Sequence, residues 1–243
     1  MGDLGILPGA YTITQAYLDT TSQNRPGPCS SNYCWEGVKG IVVHRTASAS
    51  MDARAIRQYF NDAPDGRYAS SQYVVDDKVI LEIIPIGEVA YHTSGKNMNH
   101  IGIETCEYNW GTATWPESYK RLVWLVTHLV KTYGLSIAQV TGHFWWDPTN
   151  RPYDPTHMGW TLAEGSAKGL FDWNQFIADV HTQITAPQVV PILVSQPTPC
   201  TDGLLINSTT YVPIRAYTTC VEPGATVRWD PSGKVVVDLP PTP

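Results

Sequence analysis

Apolar residues recur at three- and four-residue steps through Tyr119, Leu122, Val123, Val126, Leu129, Val130 and Tyr133, which predicts a helix with one buried face. Pro116 suits its first turn and Gly134 its terminating cap, while His128, Lys120, Thr127 and Lys131 fall on the opposite, solvated side. The same period predicts a helix from about residue 50 to 60 with Ile56, Tyr59 and Phe60 inward. Another is expected from about 172 to 184 with Trp173, Phe176, Ile177 and Val180 inward, and His181 near its C-terminal end, where a cation is favourable. Between them lie short β-rich runs: Gly40 to Val43, Gln72 to Val75, Lys78 to Ile84, Ile101 to Thr105 and Gln139 to Gly142. Strands alternating with helices predict an α/β body.

The pattern changes near residue 185. Ten of the 19 prolines lie in the last 59 residues, and all seven histidines lie before them. The expected organisation is a catalytic body over residues 1–184, a Pro-rich linker over 185–199 and a small β-rich module over 200–243, where short strands from Ile206 to Val237 are broken by Gly and Pro.

Sixteen basic against 22 acidic residues give a net charge of −6, which argues against a nucleic-acid partner, since phosphate contacts need a basic face. A hydrophobic fraction of 42% is enough for a folded core. No run approaches the roughly 18 apolar residues of a membrane span. Met1 to Ile13 lacks a basic segment followed by an apolar run, so no signal peptide is expected. Of five cysteines, Cys29 and Cys34 could close a small loop and Cys200 and Cys220 could staple the tail. Cys106 shares a strand face with Glu104 and reads as a small buried hydrophobe.

Candidate chemistry sits at strand ends. His44 follows Ile41-Val42-Val43, His143 follows Val140-Thr141-Gly142, and Glu104 closes Ile101-Gly102-Ile103. Side chains from distant positions converge outside strand ends in open α/β sheets. Asp154 follows eleven residues after His143, in Arg151-Pro152-Tyr153-Asp154-Pro155. A catalytic zinc needs three N, O or S ligands and one open position, which His44, His143 and Asp154 would supply. Glu104 would then move the proton of the attacking water. Taken alone, a His after a strand more often reads as a satisfied structural residue, and a lone Glu in a strand as an ion-paired one.

Several segments occur together and in order: His44-Arg45-Thr46-Ala47, Ser70 to Val75, Ala90-Tyr91-His92-Thr93-Ser94-Gly95, Ile101-Gly102-Ile103-Glu104, Thr141-Gly142-His143, Asp154-Pro155 and Phe171-Asp172-Trp173. Together they resemble the zinc-dependent N-acetylmuramoyl-L-alanine amidases of the type-2 amidase and peptidoglycan-recognition superfamily, over roughly residues 38–182. The resemblance implies a mixed central sheet flanked by helices, one zinc ion on His44, His143 and Asp154, and Glu104 as general base. The implied reaction is hydrolysis of the amide between N-acetylmuramic acid and L-alanine of the peptidoglycan stem peptide.

The chain departs from the family pattern in places. Many members place a Lys two residues before the third ligand, where this chain has Pro152, with Arg151 beside it as the candidate oxyanion partner. Gln72 replaces an aromatic-flanked His and is expected to affect packing or substrate contact. His157 is a rival to Asp154, which is preferred for its Asp-Pro setting. His92 matches an aromatic-His segment at the groove and is expected to contact substrate; Trp145 and Trp146 are expected to wall that groove, with core packing as the competing reading.

Residues 210–216 and 224–230 look like part of a small stalk module of Gram-positive surface proteins, suited to wall attachment, self-association or simple spacing. The whole resembles a phage endolysin, made in the host cytoplasm and acting on the cell wall after release. Two other readings share the groove: a non-catalytic peptidoglycan-recognition protein, and an amidase that recycles soluble muropeptides.

Overall fold

The computed structural model describes residues 11–29, 34–110, 112–151 and 171–185, together with the backbone of five strands between 188 and 238. The chain divides into two compact units, Met1–Ile184 and Thr185–Pro243.

The first unit is built on a six-stranded sheet in the order β1-β4-β3-β5-β2-β6. Its strands are β1 (Ile13–Gln15), β2 (Gly40–Arg45), β3 (Tyr73–Val75), β4 (Ile80–Glu82), β5 (His100–Thr105) and β6 (Val140–Gly142). Only the β3–β4 pairing is antiparallel, so the sheet is mixed, as the resemblance implies. The centre is parallel: β5, β2 and β6 lie side by side with Ile41 opposite Ile101 on one side and Val140 on the other. Gly-Ile-Val-Val makes β2 apolar on both faces, as suits a strand covered on both sides. β1 carries no strong pattern, being three residues long and largely exposed, and it was not expected.

Strand alternation sorts the side chains into two layers. Ile41, Val43, Ile101 and Ile103 enter the larger core, against α2 (Trp115–Tyr133) and α3 (Trp173–Thr185). Val42, His44, Gly102 and Glu104 therefore point to the other face. There α1 (Ala53–Asp62) packs on β3 and β4, with Ile56 and Phe60 against Val74 and Leu81. That helix starts at Ala53 because the Asp52 carboxylate caps it, accepting from the Ala55 amide at 3.0 Å.

Helix α2 ends at Gly134 in the left-handed conformation, as its sequence predicts. Its buried stripe is wider than expected: Leu125 and Thr127 are buried as well, whereas His128 is exposed and stacks on Trp124. Helix α3 lies along α2, tied by the Tyr119 hydroxyl donating to Asp179 at 2.6 Å and by Trp173, Phe176 and Val180 in the shared core. Trp110, Trp115, Tyr119, Phe171 and Phe176 fill that seam with edge-on and stacked rings. Cys29 and Cys34 form a disulfide, and Cys106 is a buried thiol. Cys200 and Cys220 lie outside the described residues. Among the described residues, no helix is long and apolar enough to cross a membrane.

The second unit contains an antiparallel sheet of β7 (Gln188–Pro191), β8 (Asp202–Ile206) and β9 (Thr209–Tyr211), and a hairpin of β10 (Thr226–Trp229) with β11 (Val235–Asp238). Strand β7 falls inside the segment expected to be linker, where Val189 and Val190 favour extended pairing over the surrounding prolines.

Candidate active site

The parallel centre of the sheet delivers the chemistry. His44 is paired in register with Glu104 across β2 and β5, so both side chains leave the same face at the same edge. Val43 pairs with Gly142, which puts His143, the next residue after β6, level with His44. The two imidazoles meet edge to face with ring centres 4.7 Å apart, His44 2% and His143 9% exposed. A short 3-10 turn, His143–Trp145, begins at that point and turns the chain away from the sheet.

A third imidazole joins them. His92, 8% exposed, lies on the loop before β5, and its Nδ1 is 3.2 Å from His44 Nε2. Its Nε2 lies 3.0 Å from the carbonyl oxygen of His100, and the Thr93 hydroxyl is 3.2 Å from its Nδ1. Burial, reinforced by the neighbouring His44, holds the His92 imidazole well below its ordinary pKa. Its loop is fixed from below, since the amides of His92 and Thr93 both donate to Asn97 Oδ1 at 2.9 and 2.8 Å.

These groups open onto a cavity of about 730 Å³. One end is formed by His44, Glu104, His92, His143 and Arg151; the other runs to α1 and is walled by Ile56, Tyr59, Phe60, Tyr68 and Tyr91. Tyr68 and Tyr91 meet edge-on at 5.5 Å, and Arg67, ion-paired to Asp65, stands at the rim. Arg45, next to His44, also lines the cavity while its guanidinium pairs with Glu107 at 2.7 Å.

Of the residues singled out from sequence, His44, His143, Glu104, His92 and Arg151 are brought to this one cavity. Asp154 and His157 lie outside the described residues. Trp145 and Trp146 are placed elsewhere than expected: they are 46% and 41% exposed and are not part of the cavity wall. Trp145 packs on Phe144 and Trp173, and Trp146 is covered by Lys96, whose ammonium sits 3.7 Å over its ring. Trp145 lies within the 3-10 turn that begins at His143, and Trp146 caps it. Gln72 is a packing residue: fully buried, it accepts from the Gly102 amide at 2.7 Å and donates to the Glu88 carbonyl. The aromatic wall of Tyr59, Tyr68 and Tyr91 was not foreseen. Its residues come from three separate segments, and only Tyr91, beside His92, carried a local signal.

The sequence comparisons agree with this geometry. Residues 35–157 match the family described as N-acetylmuramoyl-L-alanine amidase, a span that includes His44, Glu104, His143 and Asp154. The chain belongs to that family. Among curated relatives of the amidase, a probable N-acetylmuramoyl-L-alanine amidase of Bacillus licheniformis is 38% identical over 128 residues, covering 47% of this chain and 35% of the relative. The N-acetylmuramoyl-L-alanine amidase CwlL of the same species is 36% identical over 154 residues, covering 57% of this chain and 41% of the relative. The chain thus spans well under half the length of these curated relatives. Among solved structures, a mutant endolysin from Bacillus subtilis superposes with a TM-score of 0.53 at 27% identity, over 70% of this chain and 99% of that one. The mixed sheet flanked by helices is accordingly the fold of an amidase domain.

Two imidazoles in contact at strand ends, with a carboxylate in register beside them, make a donor set that suits a borderline cation such as zinc. Among the described residues no group of three His, Cys, Asp or Glu side chains is placed to hold a metal ion, and Asp154 lies outside them.

Proposed function

We propose that the protein is a zinc-dependent, endolysin-like peptidoglycan hydrolase that cleaves the amide between N-acetylmuramic acid and L-alanine of the stem peptide. The observation that carries this reading is the convergence of His44, His143 and Glu104 from three parallel strands on one cavity of an amidase-family fold. His44 and His143 would hold the metal, with Asp154 as third ligand. When bound, zinc supplies Lewis-acid polarisation of the scissile carbonyl and makes water more acidic.

The chain's own residues do the rest. Glu104, half-buried beside His44, accepts the proton of the attacking water and returns it to the leaving amine of alanine. Arg151, which lines the same cavity, offers positive charge to the oxyanion that develops on the carbonyl. The tyrosine-rich part of the cavity lining offers aromatic surface to a muropeptide, and the half-exposed Trp145 offers its indole to the glycan beyond the cavity. The second unit would hold the enzyme on the wall or to another copy.

The test is incubation of the purified protein with Gram-positive sacculi, with and without a chelator, followed by mass spectrometry of released fragments. Chelator-sensitive release of stem peptides with a free N-terminal alanine, the glycan left uncut, is the expected result. Binding without release would instead make it a recognition protein, and release from soluble muropeptides alone a recycling amidase.

A further inference from the structure

Tyr68 reaches the cavity on a loop that its own sequence does little to hold. Residues 63–69 lead from α1 toward β3, and Arg67, Tyr68 and Ala69 of this loop line the cavity. The loop contains neither strand nor helix, and it starts at Ala63, whose φ of 43° lies in the left-handed region that a Cβ resists. Asp65 shapes its tip, accepting from the Tyr59 hydroxyl at 2.7 Å and pairing with Arg67.

The two stems of the loop are joined from outside by one side chain. Asn24, 1% exposed, lies on the segment that follows β1 and is not among the residues that line the cavity. Its Nδ2 donates to the carbonyl of Phe60, in the last turn of α1, at 2.9 Å, and its Oδ1 accepts from the Ala69 amide at 3.0 Å. A carboxamide carries donor and acceptor on one rigid plane, so asparagine can bridge a carbonyl and an N–H at once. The Ser22 hydroxyl is a second donor to the Phe60 carbonyl, at 3.4 Å, whereas the acceptor for the Ala69 amide comes from Asn24 alone among the described residues. From Ala69 the restraint passes straight into the aromatic wall. The Ser70 amide donates to the Tyr91 carbonyl and the Ser70 hydroxyl accepts from the Tyr91 amide, both at 3.0 Å. Tyr68, on the other side of Ala69, meets the Tyr91 ring edge-on.

We propose that Asn24 is a positioning residue for substrate: by pinning both stems of the 63–69 loop, it presets the Tyr68–Tyr91 wall that receives the muropeptide. This rests on the hydrolase reading above and deepens it, giving a buried residue outside the cavity a part in substrate binding. A loop ordered in advance does not have to be ordered when substrate arrives, so removing the clamp falls on KM and leaves the chemical step alone.

The test is steady-state hydrolysis of soluble peptidoglycan fragments bearing the stem peptide by the zinc-loaded full chain, with hydrogen exchange of the Ala69 amide followed in parallel. Asn24→Ala should raise KM about tenfold while kcat and zinc affinity stay within about twofold of wild type. The Ala69 amide, protected in the wild type, should exchange freely in that variant. Asn61→Ala cuts bonds that tie the same segment to α1, from the Asp19 amide at 2.8 Å and to the Asp19 carboxylate at 2.9 Å, without reaching Ala69. It should leave KM within about twofold of wild type. Tyr68→Ala, at a side chain 67% exposed, should fold normally and raise KM as Asn24→Ala does.

An unchanged KM in Asn24→Ala, a loss confined to kcat, or an equal rise of KM in Asn61→Ala would overturn the inference while leaving the hydrolase reading intact. A wild type inactive on these fragments would remove both. Should Asn24→Ala fail to fold, the other measurements decide: an unchanged KM in Tyr68→Ala, or a fast-exchanging Ala69 amide in the wild type, would overturn the inference.

Discussion

Glu104 and His143 share a cavity but divide its work in the proposed reading, so their loss should look different. Glu104→Ala should keep fold and zinc while hydrolysis falls about 10²- to 10⁴-fold, the usual worth of a positioned proton-transfer group. His143→Ala should lose metal and activity together, as metal content and fragment release on the same preparation will show. Retained wall lysis in the Glu104 variant would remove the proton-transfer assignment. A pH effect follows from His100, whose imidazole is pushed down to about 4 by burial and by the ammonium groups of Lys96 and Lys39. Because the folded form resists protonation that the unfolded chain accepts near its ordinary value of 6.5, stability is complete above that pH and is lost as pH falls toward 4. The buried His92 acts in the same direction. Urea midpoints of the metal-free protein should therefore drop across that window, and His100→Gln should flatten part of the slope; an unchanged slope would refute the assignment.

At the scale of elements, the seam between α2 and α3 carries much of the body's stability. Phe176 is fully buried there against Tyr119, Phe171 and Trp173, so Phe176→Ala should cost about 3–5 kcal/mol in chemical denaturation, the range for deleting a buried aromatic ring. A cost below about 1 kcal/mol would mean that α3 docks loosely. Both helices were legible in the sequence, because an apolar period of 3.6 residues sustained over three turns or more buries a single stripe only when the backbone is helical. So were β2 and β5, whose apolar runs end in His44 and Glu104, and the convergence of those residues with His143 followed from strand ends alone. Strand β1 was not legible: its three residues are held by parallel pairing to Ile80–Glu82, far along the chain. The surroundings of Trp145 and Trp146 were not legible either, since sequence gives proximity to His143 but not the direction in which a 3-10 turn carries each side chain. Gly102 did carry a signal, a glycine in a β-branched run, but what it makes room for, the His92 ring, comes from a loop ten residues away.

For the whole molecule, the two units divide substrate chemistry from its delivery in the proposed reading. A chain ending at Ile184 should cleave soluble muropeptides within about twofold of the full protein and lose at least about tenfold on intact sacculi, the expected effect of removing a tether to an insoluble substrate. Equal rates on sacculi would make the second unit a spacer. The strand order at the centre of the sheet has a consequence for how the protein comes into being. Thr141 of β6 donates to Ile41 of β2 across a sequence separation of 100 residues. A chain emerging from the ribosome thus exposes its first imidazole long before the strand that brings the second has been made. In the proposed reading, an unfinished or clipped polypeptide that lacks β6 holds half of a metal grip and none of the hydrolytic chemistry, so only the completed chain can act on the wall.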